Sequence, residues 1–145
     1  MKTNLKINLI DCTLRDGGYY NNWDFSINLV NEYLKTMSKI GVEYVELGFR
    51  SFQSESFKGS NWYTTDNYIN NLKIPSNLKI AVMVNASQII NQNNISSAVK
   101  KLFSYKKNSK VNLVRVACHF SEINQTIDIV KHLNKLGYHS AINLM

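Results

Sequence analysis

The chain has 145 residues, 44% of them hydrophobic and 11% aromatic, with a single proline. This excludes a disordered or collagen-like polypeptide, and the length suits one domain built around a core. The formal charge of +7 raises nucleic acid as a partner, but the lysines are scattered. The one dense group, Lys100, Lys101, Lys106, Lys107 and Lys110, surrounds the end of an expected helix, where cations suit the helix dipole.

Two further exclusions follow. No apolar run approaches the roughly 18 residues of a membrane span, and the N-terminus lacks the apolar core of a signal peptide. Cys12 and Cys118 are too few for a disulfide framework, and both fall in expected strands, so they read as reduced core or near-site thiols of a cytoplasmic protein. Neither nucleic acid nor membrane is an expected partner.

In chain order, the apolar run from Ile7 to Ile10 reads as a buried strand. It runs into Arg15-Asp16-Gly17-Gly18, where paired glycines predict a turn with unusual backbone angles. An aromatic, asparagine-rich loop is expected from Tyr19 to Phe25. A helix follows from Ser26 to Ile40, with Ile27, Val30, Leu34, Met37 and Ile40 at helical spacing; Asp24 or Ser26 caps it and Gly41 ends it. Strand two is expected at Val42 to Leu47. The connection from Phe49 to Tyr63 is longer than usual and is a candidate for binding.

A short helix is expected at Thr65 to Leu72, and Pro75 precedes a third strand, Leu78 to Val84. After a polar connection the next helix spans Ile95 to Tyr105. Strand four is Val111 to Cys118. Ser121 caps a helix with a stripe of Ile123, Ile127, Val130, Leu133 and Leu136, and His139 to Met145 reads as strand five. Strands alternating with helices mean βαβ units and a parallel sheet. An eight-unit barrel typically needs about 250 residues, so residues 1–145 are expected to form the first half of a TIM barrel, β1–β5, left incomplete.

In such barrels the working face lies at the strands' C-terminal ends. The polar groups expected there are Asp11, Arg15 and Asp16, then Glu46 and Arg50, then Asn85, and lastly Arg115 and His119. An Arg-Asp pair also serves simply to tie down a loop, and Glu46 inside an apolar strand also reads as a core acid neutralised by Arg15 or Arg115. His119 alone reads equally as a hydrogen-bonded loop histidine. Tyr19, Tyr20 and Trp23 read equally as packing over the rim.

The string Asp11 to Gly17, D-x-T-L-R-D-G, resembles the strand-one signature of the DRE-TIM metallolyases, the superfamily of 4-hydroxy-2-oxovalerate aldolase and hydroxymethylglutaryl-CoA lyase. The fuller string from Thr13 to Phe25, TLRDGGYYNNWDF, resembles its aldolase-type members. Glu46 in Val45-Glu46-Leu47-Gly48 is similar to the family's strand-two glutamate, and Val114 to His119 to its R-V-A-x-H pattern. The resemblance implies a divalent cation, Mn²⁺ or Mg²⁺, held by Asp16. It implies Arg15 as the enolate stabiliser, with Glu46, Arg115 and His119 on the side of a 2-oxo acid substrate. The reaction implied is cleavage or formation of a carbon–carbon bond.

Two positions depart from the pattern. Where the aldolases carry a histidine base, this chain has Tyr19, and tyrosine, ordinarily ionising near about 10, is a poorer base at neutral pH. The family also completes its metal site with an H-x-H pair, and no two of His119, His132 and His139 have that spacing. Two alternatives stand beside the lyase: the superfamily's condensing branch, which joins an acyl-CoA to a 2-oxo acid, and a non-catalytic half-barrel. An incomplete barrel also leaves Ile7 to Ile10 and Ala141 to Leu144 as apolar edges, which template association with further copies.

Overall fold

A computed structural model describes residues 7–145. Five parallel strands lie in the order β1 (Ile10–Asp11), β2 (Tyr44–Phe49), β3 (Lys79–Asn85), β4 (Val111–Cys118) and β5 (His139–Leu144), in a sheet curled as half a barrel. Seven helices join them: α1 (Thr13–Asn21), α2 (Ile27–Lys39), α3 (Ser60–Tyr63), α4 (Asp66–Asn70), α5 (Ala86–Ile90), α6 (Ile95–Leu102) and α7 (Ile123–Lys135). Among the described residues no helix is long and apolar enough to cross a membrane.

Alternation along the strands divides the sheet into two faces. Val45, Leu47, Ile80, Val82, Val84, Val114 and Val116 point outward to a core shared with Val30 and Leu34 of α2, Val99 of α6 and Ile129 and Leu133 of α7. The inner face is different. Register places Glu46 beside Ala81, Met83 beside Arg115 and Ala117 beside Asn143. A small aromatic cluster of Trp23, Phe49, Met83 and Ala117, with Trp62 packed on it, covers one part of that face.

Several boundaries differ from the sequence reading. The first strand is Ile10–Asp11, and the apolar run before it is open, with Ile7 73% and Leu9 58% exposed. Here β1 is an edge, paired only with β2, and Leu9 N turns to the Glu43 side chain (2.8 Å) instead of a further strand. Arg15 to Gly18 form no turn; they lie within α1, and neither Gly17 nor Gly18 has positive φ. Gly18 is required by proximity: an added Cβ would stand 2.0 Å from the Trp23 ring.

Helix α2 begins where expected, with Ser26 Oγ accepting from Leu29 N (3.2 Å). Ser121 caps nothing. It lies in a 3-10 turn, Phe120–Glu122, which is fixed when Glu122 Oε2 accepts from His119 N (2.9 Å). The asparagine-rich connection after β3 contains α5. Helix α6 stops at Leu102 because Phe103 turns extended into the core, and a 3-10 turn at Lys106–Asn108 follows.

Arg50, expected at the mouth, faces the helix layer and is 2% exposed. Its guanidinium donates to the Thr64 carbonyl, to Leu102 O (3.4 Å) and to Asp66 Oδ1 (3.0 Å), and it stacks 5.2 Å from the Phe103 ring centre. Asp66 also accepts from Ser109 Oγ (2.7 Å) and Ser104 Oγ (2.8 Å). Burial alone would raise its pKa, but the Ser109 bond, the Arg50 charge and the Ser104 bond outweigh burial and hold it below the usual 3.8.

A carboxyl depressed in the folded state contributes stability that is present above its unfolded pKa and is lost as pH falls through the folded value. Asp66→Asn is therefore expected to lower stability at pH 7 by about 1.5–3 kcal/mol, the range for hydrogen bonds to charged groups. It should also flatten the acid limb: urea unfolding at pH 7 and pH 3 should show a smaller loss in the variant than in the parent chain.

Candidate functional site

The site is built around a carboxylate that water cannot reach. Glu46, in the middle of β2, is 0% exposed, and a lone charge there would cost several kcal/mol. Two arginines compensate it. Arg15 Nε donates to Glu46 Oε1 (2.9 Å), while Arg115 Nη1 reaches both Oε1 (3.1 Å) and Oε2 (3.2 Å).

Each arginine is anchored again on its far side. Arg15 Nη1 lies 2.7 Å from Asp16 Oδ1, and its carbonyl accepts from Trp23 Nε1 (2.8 Å). Arg115 Nη1 also donates to Cys12 Sγ (3.2 Å), and Nη2 to Asn143 Oδ1 (2.6 Å). Burial would lower the Arg15 pKa, but the bond and charge of Glu46, with Asp16 behind them, raise it, so this cation is permanent. The Cys12 thiol is pushed up, first by burial and then by the Glu46 charge, against the smaller opposing pull of Arg115. It stays a neutral hydrogen-bond partner.

Local structure explains why the chain delivers these groups together. Because α1 starts two residues after β1, Arg15 leaves the first helical turn directly over β2. Ala81, paired with Glu46, is too short to obstruct the reach of Arg115 from β4 across β3.

Arg15, Asp16, Glu46 and Arg115 thus form one chain of ion pairs. Asp16 is its outer end, 59% exposed. An open depression of about 620 Å³ lies beside it, lined by Cys12, Thr13, Asp16, Gly17, Tyr19 and Tyr20. Tyr19 borders this space with its ring edge-on to Trp23, centroids 4.7 Å apart, so it is both packing and rim.

His119 is exposed after β4, its backbone capping the 3-10 turn, and no hydrogen bond links it to the arginines. Asp11 is taken up by Thr13 (3.1 Å to the amide) and by the Tyr33 hydroxyl, whose pKa is pushed up to about 12 by burial and then by that bond. Asn85 ends β3 beside Ala117, with no hydrogen bond from its side chain to the cluster.

Cys12 is the near-site thiol of the two alternatives that the sequence leaves open, whereas nothing in the sequence marks Asn143. The signal for Asn143 is register: it stands two residues beyond Ala141, which pairs with Arg115, and therefore shares its face. Among the described residues no three His, Cys, Asp or Glu side chains stand close enough to hold a metal together.

No family model and no curated protein matches the chain. A solved structure does: the N-terminal domain of a protein from Bacteroides vulgatus proposed to be an aldolase, with a TM-score of 0.77 and 30% identity. The likeness covers 96% of this chain and 44% of that one, so the chain spans less than half the length of this relative. At a coarse level the fold is similar to that of this relative's N-terminal domain.

Depth decides what each acid contributes to stability. Glu46→Ala strands two guanidinium groups and is expected to cost about 3–5 kcal/mol, as for one partner removed from a buried pair. Asp16→Asn breaks an exposed pair worth about 0–1 kcal/mol. Chemical denaturation of the two variants should show this order; equal losses would contradict the buried-pair account.

Proposed function

We propose that this chain is the N-terminal half of a TIM-barrel carbon–carbon lyase of the DRE-TIM metallolyase kind, acting on a 2-oxo acid with a divalent metal. The observation that carries the reading is the placement of Arg15: a permanent cation fixed by buried Glu46, next to the exposed carboxylate of Asp16. Aldolase-type chemistry needs that pairing, because negative charge develops on a substrate oxygen as the carbon–carbon bond breaks.

The described residues fit a metal only in part. Asp16 is an accessible oxygen donor, hard enough for Mn²⁺ or Mg²⁺, but it stands alone against the roughly six ligands such ions take. A cation held there would polarise a substrate carbonyl as a Lewis acid, with the remaining ligands coming from water and from beyond the described residues.

The other roles belong to this chain's own side chains. Arg15 binds the substrate carboxylate or the enolate oxygen. Glu46 does not touch substrate; it fixes the planes of both guanidinium groups. Arg115, steadied by Asn143, and His119 at the end of β4 are the substrate-facing groups of the far side. Tyr19, at the rim of the depression beside Asp16, is the nearest hydroxyl for moving a proton.

A non-catalytic half-barrel is the second reading, favoured by the solitary metal ligand and by the apolar edges. Ile7 and Leu9 beside β1, and Leu144 and Met145 at β5, are open to a further copy of the chain.

Two measurements test the proposal. Protein carrying this chain, supplied with Mn²⁺ or Mg²⁺, should release pyruvate from 4-hydroxy-2-oxo acids. Arg15→Ala should lower kcat by about 10²–10³, as removal of an oxyanion donor does. No metal-dependent release from any such acid would leave the half-barrel module. Calorimetry should show that residues 1–145 alone bind Mn²⁺ more weakly than micromolar; tighter binding would mean a second ligand close to Asp16.

A further inference from the structure

We infer that the groove between α6 and α7 is a binding site for a compact organic phosphate, at the end of the sheet opposite Arg15 and Asp16. The first observation is the distribution of charge. Residues 1–66 carry seven Lys and Arg against eight Asp and Glu, whereas residues 67–145 carry ten against two. The whole positive excess lies in the second half.

The second observation is a cavity where that charge converges. A space of about 290 Å³ opens between the two helices, lined by Ser96, Val99 and Lys100 of α6, by Tyr105, and by His132, Lys135 and Leu136 at the end of α7. Leu136, 7% exposed, supplies apolar surface at its floor, over the fully buried Val99. Its rim carries two ammonium groups, an imidazole, a phenol and a hydroxyl. Among the described residues none of Lys100, Lys135 and His132 has a carboxylate partner; the nearby acid on α7, Asp128, pairs with Lys131 (2.9 Å).

Solvated helix ends are the simpler account of such lysines, because cations offset the negative C-terminal dipole. Here part of that demand is met by other groups, since Leu102 O accepts from Arg50 (3.4 Å) and Leu136 O from Lys106 N (2.9 Å). Lys100 and Lys135 border the same space, where their like charges repel unless an anion joins them. Helix α7 ends at Lys135, four residues before β5 starts at His139, so the groove lies at the strands' starts and Asp16 at their ends. A cavity near the lower limit for small-molecule sites suits a phosphate monoester with one apolar group.

The whole chain, labelled with ¹⁵N, would be titrated with phenyl phosphate and with inorganic phosphate, following amide shifts. Saturable shifts centred on Val99, Lys100, Tyr105 and Leu136 are expected, tighter for phenyl phosphate than for inorganic phosphate. Lys100→Met/Lys135→Met should weaken binding at least tenfold. Lys39→Met/Lys73→Met, which removes the same charge elsewhere, should change it less than twofold. Equal weakening in both double variants, shifts spread over the surface, or no saturation would overturn the site. Binding to phosphatidylinositol-phosphate vesicles without binding to phenyl phosphate would also overturn it, assigning the patch to a membrane surface.

Discussion

One buried carboxylate organises the inner face of this sheet. Glu46 sits where an unpaired charge could not persist, so the segments that reach it have to hold their positions. Arg15 brings α1 to β2, Arg115 brings β4 over β3, and Asn143 extends the chain to β5. The outer face needs no such device, because valine, leucine and isoleucine packing is tolerant of small displacements. Ionic contacts at 2.9–3.2 Å are not, so the inner face sets the relative placement of β1, β2, β4 and β5.

Around that chain of charges the fold excludes water on one side and admits it on the other. Trp23, Phe49 and Trp62 stack over part of the inner face, with Trp23 and Trp62 centroids 4.5 Å apart. This stack is possible only because backbones come close. Gly18 lies against the Trp23 ring, and a Cβ on Gly48 would stand 1.9 Å from the Asn61 carbonyl oxygen. Asn61 then donates to Leu47 O (2.6 Å), locking α3 onto β2. On the open side Asp16 meets solvent. A cation held by a buried acid, next to an accessible carboxylate, is the arrangement on which the proposed lyase reading rests.

The two ends of the sheet are therefore electrostatically unlike. On the inner face and beyond the exit of β1, opposite charges are matched one for one, in the Arg15, Asp16, Glu46 and Arg115 chain. At the strand starts, between α6 and α7, the lysines outnumber their partners. Matched charge fixes the positions of the side chains that carry it. Unmatched charge around an apolar floor is what an anion-binding groove requires.

The order of strands and helices was legible in the sequence because apolar periodicity reports which face of an element is covered. Strand β4 falls at Val111–Cys118 as expected, and α2 starts on its Ser26 cap. The convergence of Arg15, Asp16, Glu46 and Arg115 on one face was also legible, although the structure sets Glu46 and Arg115 within β2 and β4, on the inner face, and only Arg15 and Asp16 beyond a strand's exit. Tertiary structure alone decided the rest. Arg50 follows β2 much as Arg15 follows β1, yet it turns into the helix layer, because the Thr64 carbonyl and Asp66 wait there. Gly17 and Gly18 look like turn residues, and the nearness of Trp23, invisible to local pattern, is what Gly18 serves within a helix. Ile7 and Leu9 have the composition of a buried strand, but burial requires a neighbour, and whether one is present is not encoded in the run itself.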